Sequence, residues 1–235
     1  MTQNKQVSDI EPQSVGGLIT WPRGYKLLTD VFFLGRGGSL VRHFATTVGV
    51  RPGDQALDVG CGPGRLANEL ARQAGPQGRA VGLDPASQMI EYATAHAAPT
   101  ATFEVGAAQS LPYPDATFDV VTSTFAMHHI AEADRNTALR AMFRVLRPGG
   151  RLLLADTHPT TGGVRGLLIR GMASMAAHRG GDGHDHEDGG HSHDSGLSAV
   201  DIRRYRVPLS EIGFTAIEFR TGPYATGILT AVRPD

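Results

Sequence analysis

The chain has 235 residues, of which 40% are hydrophobic and 19% charged, a composition that fits a globular domain and excludes a disordered or fibrous chain. A formal net charge of -1 excludes a broad electrostatic surface for nucleic acid or anionic lipid, so neither is expected as a partner. The single cysteine, Cys61, excludes an intrachain disulfide; residues 1–14 are polar, and no segment approaches the roughly 18–20 apolar residues of a membrane span, so a cytoplasmic protein is expected.

In chain order, residues 1–14 are expected to be a disordered tail and 15–235 a single domain. Residues 15–50 carry apolar residues at helical spacing, Leu27, Leu28, Val31 and later Leu40, Val41, Phe44 among them. A turn at Arg51-Pro52-Gly53-Asp54 changes the texture. Short apolar runs at 55–59, 80–83, 102–105 and 118–122 predict strands, with helices at 66–74 and 87–97. A helix is predicted over 134–146, stopped by Pro148-Gly149-Gly150, and a fifth strand over 151–155. Residues 162–177 have room for a helix, and 178–196 form a low-complexity tract of Gly, His and Asp. Alternation resumes with a helix over 200–212 and strands over 214–221 and 227–232. Short strands alternating with helices predict an α/β fold with a parallel sheet covered on both faces. Segments 15–50 and 158–200 fall outside the alternation and are expected to act as a lid, with 178–196 a mobile loop within it.

The strongest signal is LDVGCGPGRLA, residues 57–67. A buried strand runs into Gly60, Gly62 and Gly64 and a helix follows. Glycines permit positive φ and close approach of a ligand, and the amides of the loop and helix start are expected to hold a polar or anionic group. A dinucleotide fold calls for G-x-G-x-x-G, but Arg65 occupies the position of its last glycine, which argues against NAD or FAD. Asp84 ends the second strand, twenty residues after Gly64, where a carboxylate can accept from both hydroxyls of a ribose. The competing reading of Asp84 is a cap on the next helix.

These residues, with WPRGY, VGLDPASQMIEYA, LPYPDATFDVV, MHHI and VLRPGGRLLLAD, resemble the class I S-adenosylmethionine-dependent methyltransferases. Within that class they resemble the small-molecule group that includes the ubiquinone and menaquinone C-methyltransferases. The resemblance spans residues 20–157 well and 201–235 loosely. It implies a Rossmann-like, doubly wound, mostly parallel seven-stranded sheet with a helical lid, and S-adenosyl-L-methionine as cofactor. It implies that Asp58, Gly60, Cys61 and Gly62 bracket the methionine end of that cofactor and that Asp84 takes the ribose. Pro85 and Met89 then flank the adenine, and Ala107, Ala108 and Gln109 lie at its edge. Relatives often have an acid at the place of Ala107; here backbone amides or Gln109 must replace it. Tyr25 matches an N-terminal tyrosine that folds over the cofactor, and Ser123 begins the segment after the fourth strand that faces it.

A sulfonium is an activated methyl donor, so the protein has to align a nucleophile and, where required, remove a proton. His128 and His129 are the candidate bases because imidazole titrates near neutral pH, with helix capping as the competing reading; His158 is a weaker candidate. Asp156 is expected to hydrogen-bond the loop that follows it. The acceptor is expected to be a small molecule methylated on O, N, C or S. His184, His186, His191 and His193 are candidate ligands for zinc, nickel or copper, although their glycine-rich setting reads rather as a solvated loop. The competing function is a metal-binding or regulatory protein on a methyltransferase scaffold.

Overall fold

The computed structural model describes residues 37–158 and 201–235. The tail 1–14, Tyr25, most of both expected lid segments, the helix expected in 162–177 and the tract holding His184, His186, His191 and His193 lie outside the described residues.

Helix α1 spans Gly37–Val48 and leads into strand β1, Gln55–Val59. Three α/β repeats follow: α2 Arg65–Ala74, β2 Arg79–Asp84, α3 Ser87–Ala95, β3 Ala101–Val105, then β4 Phe118–Thr124, α4 Glu132–Val145 and β5 Leu146–Thr157. The chain ends with α5 Arg206–Ile212, β6 Thr215–Gly222 and β7 Thr226–Val232. The seven strands form one sheet in the order β3-β2-β1-β4-β5-β7-β6. Strands β1 to β5 pair in parallel, while β7 runs antiparallel to both β5 and β6. This is the mostly parallel, doubly wound sheet expected from the sequence.

The strands read as continuous apolar runs because both faces are covered. Leu57, Val81, Val121, Leu152 and Leu154 face α4 and α5, whereas Ala56, Ala80, Val120, Leu153 and Ala155 face α1 and α2. Each fully buried leucine of this set contributes about 1.5–3 kcal/mol. Among the described residues no helix is long and apolar enough to cross a membrane.

Three local features differ from the expectation. The helix expected over 200–212 is a 3-10 turn at Ile202–Tyr205 followed by the short α5. Pro208 has no amide to donate, so the α-helix restarts where the proline falls in its first turn. Strand β5 begins at Leu146, ahead of the glycines, with a register shift against β4 between Phe118 and Val120. Arg233 holds that irregular stretch through backbone bonds with Gly149 and Gly150 at 2.8 and 2.9 Å. Finally, α1 is not only cover. Leu40, Phe44, Ala45 and Val48 are buried in the sheet-face core, because the 3.6-residue period turns one stripe of the helix onto β4 and β5.

Candidate active site

Strand order reverses at β1, which has β2 on one side and β4 on the other. In open α/β sheets such a switch point leaves a crevice beyond the strand C-termini. Among the described residues a cavity lies there, lined by the glycine loop from β1 to α2.

The loop is held by its own amides. Gly60 and Cys61 both donate to the Leu83 carbonyl, at 2.7 and 3.0 Å, and Gly64 donates to Cys61 at 3.0 Å. The Gly62 amide donates to Asp84 Oδ2 at 2.8 Å. The expected cradle of free loop amides is therefore absent at these four positions: Gly60, Cys61 and Gly62 donate to β2 and Gly64 donates within the loop, which suits a ligand without a phosphate. Gly60 and Gly64 adopt φ of 72° and 78°. A Cβ on Gly60 would lie 2.4 Å from the Cβ of Ala126, and one on Gly64 would lie 2.6 Å from the Phe103 ring. Gly64 thus serves packing, and Gly60 lets the loop pass the end of β4.

Asp84 reconciles the two readings made of it. Its Oδ1 accepts the Ala86 amide at 2.9 Å, which fixes the start of α3, while Oδ2 holds the loop through Gly62. A carboxylate accepts about four hydrogen bonds, so both oxygens keep acceptor capacity toward the cavity that Asp84 lines. Burial raises its pKa, opposed by the two amides. Asp58, at the end of β1, is 1% exposed and accepts the Thr122 hydroxyl at 2.8 Å. Burial pushes its carboxyl up to about 7, against the Thr122 hydroxyl and the Ala67 amide, with a further rise from Asp84.

The cavity gathers most of the positions singled out from the sequence. Asp58, Gly60, Cys61 and Gly62 line it from the loop, and Asp84, Pro85 and Met89 from the end of β2 and α3. Ala107, Ala108 and Gln109 line it beyond β3, and Ser123 from β4. The Ser123 hydroxyl is buried in this wall without a hydrogen-bond partner, a vacancy that a polar ligand atom would satisfy. Cys61 is buried and its thiol is raised well above its ordinary range, chiefly by burial, so it is a wall and not a nucleophile. Apolar side chains also line the cavity: Leu40, Val41 and Phe44 from α1, then Phe125 and Ile130. His129 is the imidazole that faces it.

Residues 56–150 match the family described as Methyltransferase domain. The match runs from β1 into β5 and takes in the glycine loop, Asp84 and the paired histidines. The chain is similar to the demethylmenaquinone methyltransferase of Symbiobacterium thermophilum, at 37% identity over 137 residues, covering 56% of this chain and 54% of that protein. It is also similar to the ubiquinone/menaquinone biosynthesis C-methyltransferase of Ectopseudomonas mendocina, at 36% identity over 56% of this chain and 53% of that protein. The chain thus spans about half the length of these relatives. The fold of a SAM-dependent methyltransferase from Aquifex aeolicus superposes with a TM-score of 0.64 at 18% identity, covering 90% of this chain and 98% of that one.

Within the matched stretch the paired histidines separate in role. Both lie in a 3-10 turn, Met127–His129, with ring centroids 4.1 Å apart. His129 opens on the cavity, and its surrounding protein wall, then the neighbouring His128, lower its pKa to about 4, partly offset by Asp156. His128 turns away and its Nδ1 lies 2.7 Å from Asp156 Oδ2. Asp156, 3% exposed, also accepts the Thr157 amide at 2.7 Å, within the last residues of β5, beside the histidine contact that sequence reasoning missed. No sequence signal joins positions 28 apart, one in the turn after β4 and one in β5. His158 packs against Phe219, with ring centroids 5.3 Å apart, and does not line the cavity. The apolar wall comes from α1, whose helical period was visible and which lies in the segment 15–50 expected to act as a lid. Among the described residues no group of three or more His, Cys, Asp or Glu is placed to hold a metal ion.

Proposed function

We propose that the chain catalyses S-adenosyl-L-methionine-dependent methyl transfer to O, N, C or S of a small, largely apolar acceptor. The observation that carries this reading is one cavity lined both by the glycine loop with Asp58 and Asp84 and by the apolar side chains of Leu40, Phe44 and Ile130, with the neutral imidazole of His129 in the same wall.

The residues fit the cofactor. Asp84 has acceptor capacity for ribose hydroxyls, and Ser123 has an unpartnered hydroxyl in the wall. Asp58, held near 7, ionises readily when a cation enters beside it. Met89 and Ala108 offer apolar surface to a base, and Gln109 a polar edge in place of the acid absent at Ala107. When bound, S-adenosyl-L-methionine supplies a methyl group already activated by its sulfonium.

The chain's own task is orientation. Leu40, Phe44 and Ile130 exclude water from the cavity and hold an apolar molecule. His129 accepts the proton of an acceptor hydroxyl or similar group. His128, with Nδ1 on Asp156, keeps Nε2 as its remaining acceptor and receives charge from behind. The formal charge of -1 supports a small molecule over nucleic acid, and the lone thiol supports work in the cytoplasm. The reading of a metal-binding or regulatory protein rests on His184 and its neighbours, and no described residue adds to it.

Calorimetric titration with S-adenosylhomocysteine, and separately with NAD, tests the reading. Micromolar binding of the first and none of the second is expected; the reverse ranking would overturn it.

A further inference from the structure

Arg135, in the first turns of α4, is 8% exposed, and no carboxylate among the described residues pairs with it. Its Nε donates to the Ile130 carbonyl at 2.9 Å, while its Nη1 is buried without a hydrogen-bond partner. A guanidinium keeps its charge throughout the range in which a protein is folded, so it cannot escape burial by losing a proton. A buried charge is tolerated where an opposite charge or several hydrogen bonds compensate it; the described residues give this one a single carbonyl.

Tyr205 supplies a second orphaned group. It is 4% exposed, and its hydroxyl is also buried without a partner. It ends the 3-10 turn Ile202–Tyr205, which sits against the face of α4 that carries Arg135. Arg204 bonds to Glu132, three residues before Arg135 and therefore on the same face of the helix. The Tyr205 ring is buried in one core cluster with Ala138 and Leu139, three and four residues after Arg135. Burial raises the pKa of the hydroxyl; Arg135 and then Arg204 oppose the rise, and Asp156 and Glu132 add to it. The hydroxyl thus keeps its proton at neutral pH and is available to donate. Neither nearby carboxylate serves as its acceptor: Glu132 is engaged by Arg204, and Asp156 by His128 and the Thr157 amide.

Two buried donors, one of them charged, call for an acceptor with a negative charge and two oxygens. A carboxylate has that count, whereas a phosphate brings more oxygens than two donors serve. Neither Arg135 nor Tyr205 lines the cavity, but Ile130, whose carbonyl Arg135 holds, does, so the pair adjoins it.

We propose that Arg135 and Tyr205 form a carboxylate-binding site beside the cavity, in which the guanidinium Nη1 and the phenol hydroxyl each donate to one oxygen of the bound acid.

The probes are sodium acetate, sodium phosphate and sodium phenylacetate, titrated into the full chain at constant ionic strength made up with sodium chloride. Binding is read by calorimetry and by the shift in melting temperature. Acetate is expected to bind and to raise the melting temperature of wild type, and phosphate is not. Tyr205→Phe keeps the ring and removes one hydroxyl, so acetate affinity should fall at least about tenfold. The same variant should melt no lower than wild type without acetate, because it loses a buried hydroxyl that had no partner. Arg135→Met keeps the apolar stem and removes the charge, and is expected to abolish acetate binding; should it fail to fold, Tyr205→Phe decides alone. Phenylacetate distinguishes the source of the acid. Tighter binding than acetate, lost in Tyr205→Phe, assigns the carboxylate to a larger molecule that extends past Ile130 into the cavity; equal or weaker binding assigns a free small acid. No effect of acetate beyond that of chloride, phosphate bound as tightly as acetate, or an unchanged acetate affinity in Tyr205→Phe overturns the proposal.

Discussion

Asp156 and His128 meet at 2.7 Å across the C-terminal ends of β4 and β5, with the carboxylate buried and the imidazole partly exposed. The contact fixes the His128 ring and places a buried carboxylate behind it, with His129, the ring that lines the cavity, centred 4.1 Å away. Asp156→Asn keeps the shape and the Thr157 contact but removes that charge. Turnover is expected to fall at least about tenfold, while S-adenosylhomocysteine affinity holds. His129→Gln is expected to cost more, about a hundredfold, because it removes the group facing the acceptor itself. Single-turnover rates beside calorimetry check both; a loss confined to cofactor affinity would contradict the assignment.

Asp84→Ala removes two things at once, the ribose acceptor and the anchor of the Gly62 amide. Hydrogen bonds to a charged group contribute about 1.5–3 kcal/mol, so cofactor affinity should drop at least about tenfold. Asp84→Asn, which keeps one carbonyl oxygen, should lose less. Equal affinity for wild type and Asp84→Ala in a titration would remove the ribose assignment.

Asp58 makes cofactor binding depend on pH. Its pKa of about 7 in the free protein means that it is largely protonated below neutrality. A cationic cofactor favours the carboxylate, so affinity for S-adenosyl-L-methionine should rise from about pH 6 to about pH 8. The folded-state pKa is raised, so the stability contribution of Asp58 is fully present below its unfolded value of 3.8 and is lost as pH climbs toward 7. Asp58→Asn should flatten both dependences, read by calorimetry and thermal melts across that window. The low pKa of His129, about 4, leaves it neutral between about pH 6 and about pH 8.

Two glycines provide an opposed pair. Gly60→Ala would force a Cβ to 2.4 Å from that of Ala126 at positive φ, and is expected to cost about 1–3 kcal/mol and to disturb the loop. Gly38 lies in α1 with nothing within 4 Å of an added Cβ. Gly38→Ala should therefore gain about 0.5–1 kcal/mol from helix propensity. Thermal denaturation of both variants distinguishes them; equal melting temperatures would show that the Gly60 contact relaxes without strain.

The sequence alone determined what depends on near neighbours. Short continuous apolar runs, glycines at tight turns and an acid at the end of β2 are local signals, and Gly62 and Asp84 were legible from them; Asp58 came from the family resemblance and His129 from the chemistry of imidazole. Only the tertiary structure decided what depends on strand order and register. The partner of His128 is one such case, because β5 must lie beside β4 before Asp156 can reach it. The direction of the loop amides is another: Gly60 and Cys61 turn to Leu83 because β2 pairs with β1 in parallel. The pairing of Phe44 with Phe125 is a third, since their rings meet only when α1 packs on the sheet face that β4 leaves open. A linear chain records which residues are apolar, charged or free to adopt positive φ; it does not record which of them share a cavity wall, because that follows from long-range pairing.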